Sequence, residues 1–153
     1  MAVRIRTADP ADAPVLARLL ADLGYPQTVP ALAERIGHMA DGSADAVLVA
    51  DLGGTAVGVA SLHVTPLFNE GHSRGRITAF VVDPQHRGRG IGRRLLDAVE
   101  TAAEQRGCHA VELTSGAHRH GAHRFYAAAG YENRPHRFIK RLRDDDGPTH
   151  PVR

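Results

Sequence analysis

The sequence predicts a single domain of the mixed α/β class. Three observations lead to that class. Short segments with a strand pattern alternate along the chain with segments whose apolar residues recur at helical spacing. Glycine, proline and aspartate separate these segments where turns and helix caps are expected. The length of 153 residues is close to the ~150 typical of one domain, so one core can form without covalent staples.

The first half of the chain reads as strand, helix, helix and hairpin. Residues 3–6 alternate apolar and charged side chains, as a half-buried strand does. A helix is predicted over residues 9–24, with an aspartate N-cap, a proline at the first helical position and a glycine at its end. A second helix is predicted from the threonine cap at residue 28 to the glycine at residue 42. Two β-rich segments, residues 46–50 and 56–65, then flank a Leu-Gly-Gly hairpin turn.

The second half continues the alternation. Residues 68–75 read as a polar loop, and residues 77–82 as a buried strand that an Asp-Pro pair stops. An amphipathic helix is predicted over residues 90–107, beginning and ending at glycines. A strand over residues 110–114 and a helix over residues 119–129 follow.

The C-terminal part carries weaker signals. A last, weak strand is predicted over residues 137–142. Residues 144–153 contain three consecutive aspartates and no apolar pattern, so they are predicted to form a disordered tail. The folded domain is therefore expected to span residues 1–143.

Composition narrows the class of protein. The only cysteine, Cys108, excludes a disulfide framework within the chain and favours a reducing compartment, where it is expected to be a buried, inert thiol. The longest uninterrupted apolar runs have five residues, too few to span a bilayer. The first residues lack the apolar region of a secretory signal. We therefore expect a soluble, cytoplasmic protein.

The most informative segment is a glycine-rich turn between the buried strand and the long helix, FVVDPQHRGRGIGRRLL at residues 80–96. Gly88, Gly90 and Gly92 permit a tight turn and close approach of a ligand to the backbone. The N–H groups and positive dipole at the start of the helix favour an anion. Neither the G-x-x-x-x-G-K-[ST] nor the G-x-G-x-x-G pattern is present. A pyrophosphate site of another kind is indicated, with added charge from Arg87, Arg89, Arg93 and Arg94.

Two motifs in this order resemble the GNAT family of N-acetyltransferases. The spacing Arg87-x-x-Gly90-x-Gly92 is similar to that family's [QR]-x-x-G-x-[GA] signature for acetyl-CoA. Residues 122–131, AHRFYAAAGY, are similar to the second signature, A-x-x-[FL]-Y-x-x-x-G-[FY]. The resemblance covers roughly residues 3–142.

The resemblance implies a mostly antiparallel central sheet, splayed around the cofactor cleft and flanked by about four helices. It also implies transfer of the acetyl group of acetyl-CoA to a primary amine, by direct attack through a tetrahedral intermediate. Tyr126 occupies the position of the family's general acid, which protonates the departing thiolate. The implied acetyl-CoA contacts are Phe80, Val81, Val82, Arg87, Gly88, Arg89, Gly90, Ile91, Gly92, Arg93 and Arg119.

The resemblance leaves the general base open. Some relatives carry a glutamate on the central strand where this chain has Thr78, and Arg119 replaces the usual asparagine of the second signature. A water relay, Glu70, His63, His72 and the protonation equilibrium of the substrate itself all remain candidates.

Residues 119–142 also resemble the end of bacterial aminoalkylphosphonate acetyltransferases, where a similar R-H-x-A-H-R-F-Y run and a terminal R-F-x-K occur. That similarity implies a small amine as acceptor, which arginine would engage if it is anionic. The family also implies a homodimer. Neither a membrane nor a nucleic acid is expected as a partner.

Two other interpretations stay open. One is a basic module that binds nucleic acid or ribosomes, since six arginines and one acid lie within residues 74–94. The other is an acetyl-CoA binder of the same fold without turnover. His118, His120 and His123 could hold a divalent metal, but their spacing matches no zinc signature, and a solvated surface is the preferred interpretation, with no metal site.

Overall fold

The computed structural model describes residues 2–41, 43–114, 120–134 and 137–144. The chain divides into two compact units, Met1–Leu113 and Thr114–Arg153. The strands are β1 (Val3–Thr7), β2 (Ala46–Leu52), β3 (Thr55–Pro66), β4 (Ser73–Val82) and β5 (Cys108–Leu113). The helices are α1 (Ala13–Leu23), α2 (Val29–Ala40), α3 (Ile91–Gln105) and, in the second unit, α4 (His120–Ala128).

One five-stranded sheet, in the order β1-β2-β3-β4-β5, organises the first unit. The first four strands are antiparallel to their neighbours, and β5 is parallel to β4. This confirms the predicted mixed, mostly antiparallel sheet. The β4–β5 register runs from Ser73↔Cys108 to Ile77↔Leu113, and β4 then continues to Val82. The two strands therefore part after Ile77, next to Phe80, Val81 and Val82, which the resemblance implies as acetyl-CoA contacts.

Helices cover both faces of the sheet. Leu16, Leu19 and Ile36 of α1 and α2 pack in one core with Val49 of β2. The next residue, Ala50, belongs instead to a cluster with Ile91 of α3. Successive side chains of a strand point to opposite faces, so α1 and α2 cover one face and α3 the other. The α3 side of the core is dense, with Leu95, Leu96 and Val99 fully buried.

The predicted caps are present, with one change at the start of α1. Asp9 caps a short 3₁₀ turn at Pro10–Asp12, where its side chain accepts from Ala11 N at 2.8 Å. The α-helix begins only at Ala13 and ends at Gly24, whose φ of 99° glycine adopts without strain. Thr28 caps α2 as predicted.

One predicted boundary and one predicted strand were wrong. The polar loop ends at His72, because Ser73, Arg74 and Gly75 pair with β3 as the start of β4. The weak strand over residues 137–142 is absent from the described residues 137–144. Phe138 and Leu142 are almost fully exposed there, so the segment has no buried face of the kind that stabilises a strand. Residues 145–153 lie outside the described ranges, and the tail stays a prediction.

A charged network ties β1 to the first helical turn and to β2. Arg6 donates to Asp51 Oδ2 at 2.7 Å and, through two nitrogens, to Asp12 at 2.9 Å. The same Asp12 carboxylate accepts from Asp9 N at 2.7 Å. Hydrogen bonds from the Arg6 guanidinium hold the pKa of both Asp12 and Asp51 below the usual range for aspartate.

This network predicts a loss of stability in acid. The folded-state pKa values lie below the ordinary value of about 3.9, so the network contributes fully above that pH. Its contribution is lost as the pH falls through the lower folded-state values. We expect the free energy of unfolding in urea to fall as the pH drops below about 4. Arg6→Met should flatten that fall, whereas Arg18→Met, which removes an exposed pair with Asp83, should not. An unchanged slope in Arg6→Met would contradict the assignment.

No helix in the described parts of the chain is long and apolar enough to cross a bilayer.

Candidate functional site

The turn between β4 and α3 is held by Asp83. Its backbone N–H donates to Val57 O at 2.8 Å, which anchors the turn to the sheet. Its carboxylate accepts from Gln85 N at 3.0 Å and pairs with Arg18 of α1 at 3.2 Å. A 3₁₀ turn, Pro84–His86, follows. Asp83 is thus held to β3 by its backbone and to α1 by its side chain, just before the glycine turn.

Gly88 and Gly90 both have a φ of 77°, which L side chains rarely adopt. No atom lies within 4 Å of where a Cβ would stand on either residue, so both face open space. Gly90 is the N-cap of α3, and Arg94 N donates to its carbonyl at 3.2 Å. The N–H groups of Ile91, Gly92 and Arg93 precede the first helical bonds and have no intrahelical acceptor. The turn therefore has the geometry of an anion site at a helix N-terminus.

The arginines predicted around this turn have different roles. Arg87 donates from Nε to Val82 O at 3.1 Å, so it braces the turn against the end of β4. Arg93 pairs with Asp97 at 3.0 Å along the helix surface. Arg89 and Arg94 line a pocket of about 390 Å³ with Ile91, and its other lining residues are Ala2, Val3 and Leu52. All four arginines are exposed and add positive charge near the turn.

At the end of β4, a ligand would contact the main chain rather than the side chains. Val81 is buried in the core beneath α1, and Phe80 and Val82 are half-buried. The carbonyl of Val82 accepts a hydrogen bond from Arg87 Nε. The N–H of the next residue, Asp83, donates to Val57 O of β3. An extended ligand beside this segment would meet main-chain groups, and the acetyl-CoA contacts that the resemblance implies for Phe80, Val81 and Val82 stay a prediction.

In the second unit, Tyr126 lies on α4 and is half-buried. Its ring meets Phe125 at 5.2 Å and Tyr131 at 5.7 Å between centroids, both edge to face. The helix ends at Ala128, Gly130 follows with a φ of 93°, and Tyr131 N donates to Tyr126 O at 2.9 Å. The second motif thus builds one aromatic cluster around Tyr126.

Some predicted residues lie outside the part that the structure describes. Arg119 and His118 belong to residues 115–119, which the described ranges leave out, and the side chain of His120 is not described either. The predicted acetyl-CoA contact of Arg119 and the interpretation of the histidine cluster therefore stay predictions.

The structure separates the candidate bases. Glu70 lies 3.2 Å from Arg74 and 3.6 Å from His72, and the His72 ring stacks on His109 at 3.9 Å. These groups form an ion-paired cluster at the start of β4. His63 belongs to a different group, in which Thr78 is its neighbour.

That second group contains Asp45, which the sequence analysis missed. His63 Nε2 lies 2.9 Å from Thr78 Oγ1, and His63 Nδ1 lies 3.2 Å from Asp45 Oδ2. Thr78 Oγ1 is also 2.7 Å from Ser61 Oγ. The alternation of Ser61 and His63 on one strand face was visible in the sequence, but nothing local linked Asp45 to them.

The basic stretch of residues 74–94 is partly neutralised by the fold. Arg74 and Arg76 both lie within 4 Å of Glu112 on β5, at 3.9 and 3.7 Å. With the Arg93–Asp97 pair, half of the six arginines have an acidic neighbour. This arrangement disfavours a continuous phosphate-binding surface and leaves the positive charge concentrated at the glycine turn.

Cys108 is a free, buried thiol at the start of β5. Burial raises its pKa, which keeps it protonated near neutral pH. This agrees with the prediction of an inert thiol.

Comparison with known proteins decides the family. Residues 16–131 match the model of the acetyltransferase (GNAT) family, and this span includes both motifs. The chain belongs to the GNAT family. The predicted enzyme class, an acetyl-CoA-dependent acetyltransferase, is thereby confirmed at the level of the family.

Individual relatives agree with this assignment. The chain is 39% identical to the aminoalkylphosphonate N-acetyltransferase of Salmonella typhimurium over 58% of each chain, so the match spans little more than half of that relative's length. It is 31% identical to an aminoglycoside N(6')-acetyltransferase of Stenotrophomonas maltophilia, over 84% of this chain and 85% of the relative. A solved Bacillus halodurans C-125 protein described as a transcriptional regulator superposes with a TM-score of 0.81 at 28% identity, over 92% of this chain and 99% of that one.

Proposed function

We propose that this protein transfers the acetyl group of acetyl-CoA to the primary amine of a small molecule. The observation that carries the proposal is the strand–turn–helix of the first unit. There β4 extends past its last pair with β5 and leads through the Gly88–Gly90 turn into the N-terminus of α3. A GNAT family match that includes both motifs supports the same activity.

In this proposal the pyrophosphate binds the main-chain amides between Arg87 and Gly92. The open space at Gly88 and Gly90 fits that group, because nothing lies within 4 Å of the Cβ position of either residue. Arg89 and Arg94 supply charge for phosphate oxygens. The pantetheine arm lies along the end of β4, where a main-chain N–H polarises the thioester carbonyl and stabilises the oxyanion.

The reaction is a direct acyl transfer. The neutral amine attacks the carbonyl carbon, a C–N bond forms, and collapse of the tetrahedral intermediate breaks the C–S bond. The thiolate takes a proton from the Tyr126 hydroxyl, and the proton that the amine nitrogen releases as the amide forms passes through solvent and restores that hydroxyl. Tyrosine with an ordinary pKa near 10 and a thiol near 8.5 are close enough for efficient transfer. No cysteine nucleophile is needed, which fits the buried Cys108.

A small amine is the proposed acceptor class. One relative is named for aminoalkylphosphonates and another for aminoglycosides, and both names denote small molecules that carry primary amines. The C-terminal motif resemblance supports the same class. A homodimer and a cytoplasmic location remain predictions from the sequence.

An acceptor screen tests the proposal. CoA release from acetyl-CoA is followed with a thiol reagent against aminoalkylphosphonates, aminoglycosides, polyamines and peptides. We expect acceptor-dependent release, by at least about tenfold over hydrolysis, with one of the first three groups. Calorimetric titrations with acetyl-CoA and with a nucleic acid accompany the screen. Nucleic-acid binding without acetyl-CoA binding would reject the enzyme, and acetyl-CoA binding without release would favour the inactive binder.

A further inference from the structure

Asp45, Ser61, His63 and Thr78 form one hydrogen-bonded chain on the α1–α2 side of the sheet, here called the Thr78 cluster. The links measure 3.2 Å from Asp45 to His63, 2.9 Å from His63 to Thr78 and 2.7 Å from Thr78 to Ser61. Val64 N also donates to Asp45 Oδ1 at 2.9 Å, which fixes the carboxylate beside the imidazole. An imidazole held between a carboxylate and a hydroxyl is an arrangement that can move a proton.

Thr78 stands at a break in the strand pairing. Ser61 pairs with Ala79 and Leu62 pairs with Ile77, so Thr78 is the extra residue of a β-bulge. It is also the first residue of β4 after the last pair with β5, Ile77↔Leu113. Its side chain is exposed. The bulge therefore places the hydroxyl at the surface where the two strands part, two residues before the proposed pantetheine segment at Phe80.

The chemistry of the cluster sets the direction of its hydrogen bonds. A carboxylate only accepts, so His63 carries its hydrogen on Nδ1 and donates it to Asp45. Nε2 is then an acceptor, and the Thr78 hydroxyl donates to it. Ser61 donates to Thr78 Oγ1, which keeps a second lone pair for an outside donor. An amine N–H is such a donor.

We propose that the Thr78 cluster is the proton acceptor for the substrate amine, a role that rests on the proposed acetyl transfer. The ammonium group of the acceptor gives a proton to Thr78 Oγ1 while the Thr78 hydroxyl proton passes to His63 Nε2. The products are a neutral amine, ready to attack, and an imidazolium beside the Asp45 carboxylate. Thr78 ends as it began, so the step balances without another reactant. The proton leaves His63 to solvent, which reaches its side chain at 39% exposure.

The cluster also has charged neighbours that affect its pH dependence. Arg76 is the cross-strand partner of His63 in the register, and Glu112 pairs with Arg76 at 3.7 Å. Asp45 approaches from the segment before β2.

The test compares two variants with wild-type protein on an amine that the wild type acetylates. His63→Ala and Thr78→Val should each lower kcat/KM by at least about 100-fold, the lower range for a lost general base. The acid limb that His63 imposes on the pH profile of kcat/KM should disappear in His63→Ala. Added imidazole should restore part of the activity of His63→Ala and none of Thr78→Val. Melting temperatures are measured for every variant, and His109→Ala, a histidine of β5 outside the cluster, serves as the matched control.

The outcomes separate the two proposals. A wild type that acetylates no amine rejects the acetyl transfer and the relay with it. A wild type that turns over while both variants keep its rate and pH profile rejects the relay alone. Lost activity with no imidazole rescue and an unchanged acid limb shows that the cluster merely stabilises the bulge, which also overturns the relay.

Discussion

Tyr126→Phe is expected to lower kcat by roughly 10²–10⁴-fold, the range for loss of a general acid. The thiolate would then leave without a proton from the protein, so the transition state loses stabilisation while substrate binding is kept. KM for acetyl-CoA should therefore change little. Steady-state kinetics with the best acceptor from the screen measure both constants.

Tyr131→Phe is the matched control for this substitution. Tyr131 lies in the same aromatic cluster, 5.7 Å from the Tyr126 ring, and it also loses only a hydroxyl. The family pattern admits phenylalanine at that position, so this variant should keep most of the activity. Equal activity in Tyr126→Phe and wild type would remove Tyr126 as the acid.

Gly90→Ala is expected to weaken acetyl-CoA binding by roughly tenfold or more. At a φ of 77° an alanine Cβ lies too close to the carbonyl oxygen of its own residue, and this local strain costs about 1–2 kcal/mol. The turn relieves that strain by moving, and the amides of α3 then lose their alignment with the pyrophosphate. A loss of 1.4 kcal/mol in binding is a factor of ten in Kd, which calorimetry resolves.

The opposite end of the same helix provides the control. Gly107 follows α3 with a φ of 82°, and as at Gly90, nothing lies within 4 Å of a Cβ there. Gly107→Ala should lose a similar free energy of unfolding, about 1–2 kcal/mol, and keep its affinity for acetyl-CoA. Equal loss of affinity in both variants would show that binding follows general stability and not the geometry of the turn.

Features with local causes were predicted well. The caps at Asp9 and Thr28, the glycine after α1 and the Gly53–Gly54 hairpin depend on residues adjacent in the chain. The glycine turn before α3 is of the same kind, since left-handed glycines and a helix N-terminus are encoded within a few residues. The glycine turn at the start of α3 could therefore be located without a structure.

Features that depend on residues distant in the sequence were not predicted well. The strand predicted at residues 137–142 had a weak apolar pattern, but Phe138 and Leu142 are exposed and nothing buries that face. In the sequence, Arg74 and Arg76 contribute to a basic stretch with one acid. In the structure, the parallel strand β5 places Glu112 beside both of them.

The sequence by itself determined the family, the order of the elements from β1 to α4 and the position of the glycine turn, because motifs and caps act over short stretches of chain. Only the tertiary structure brought Asp45 to His63 across 18 residues and His63 to Thr78 across 15. Strand pairing set those contacts, and one extra residue in β4 turned Thr78 toward Ser61 and His63. A register shift of one residue reverses the face of every later side chain, and spacing in the sequence does not reveal where the shift occurs.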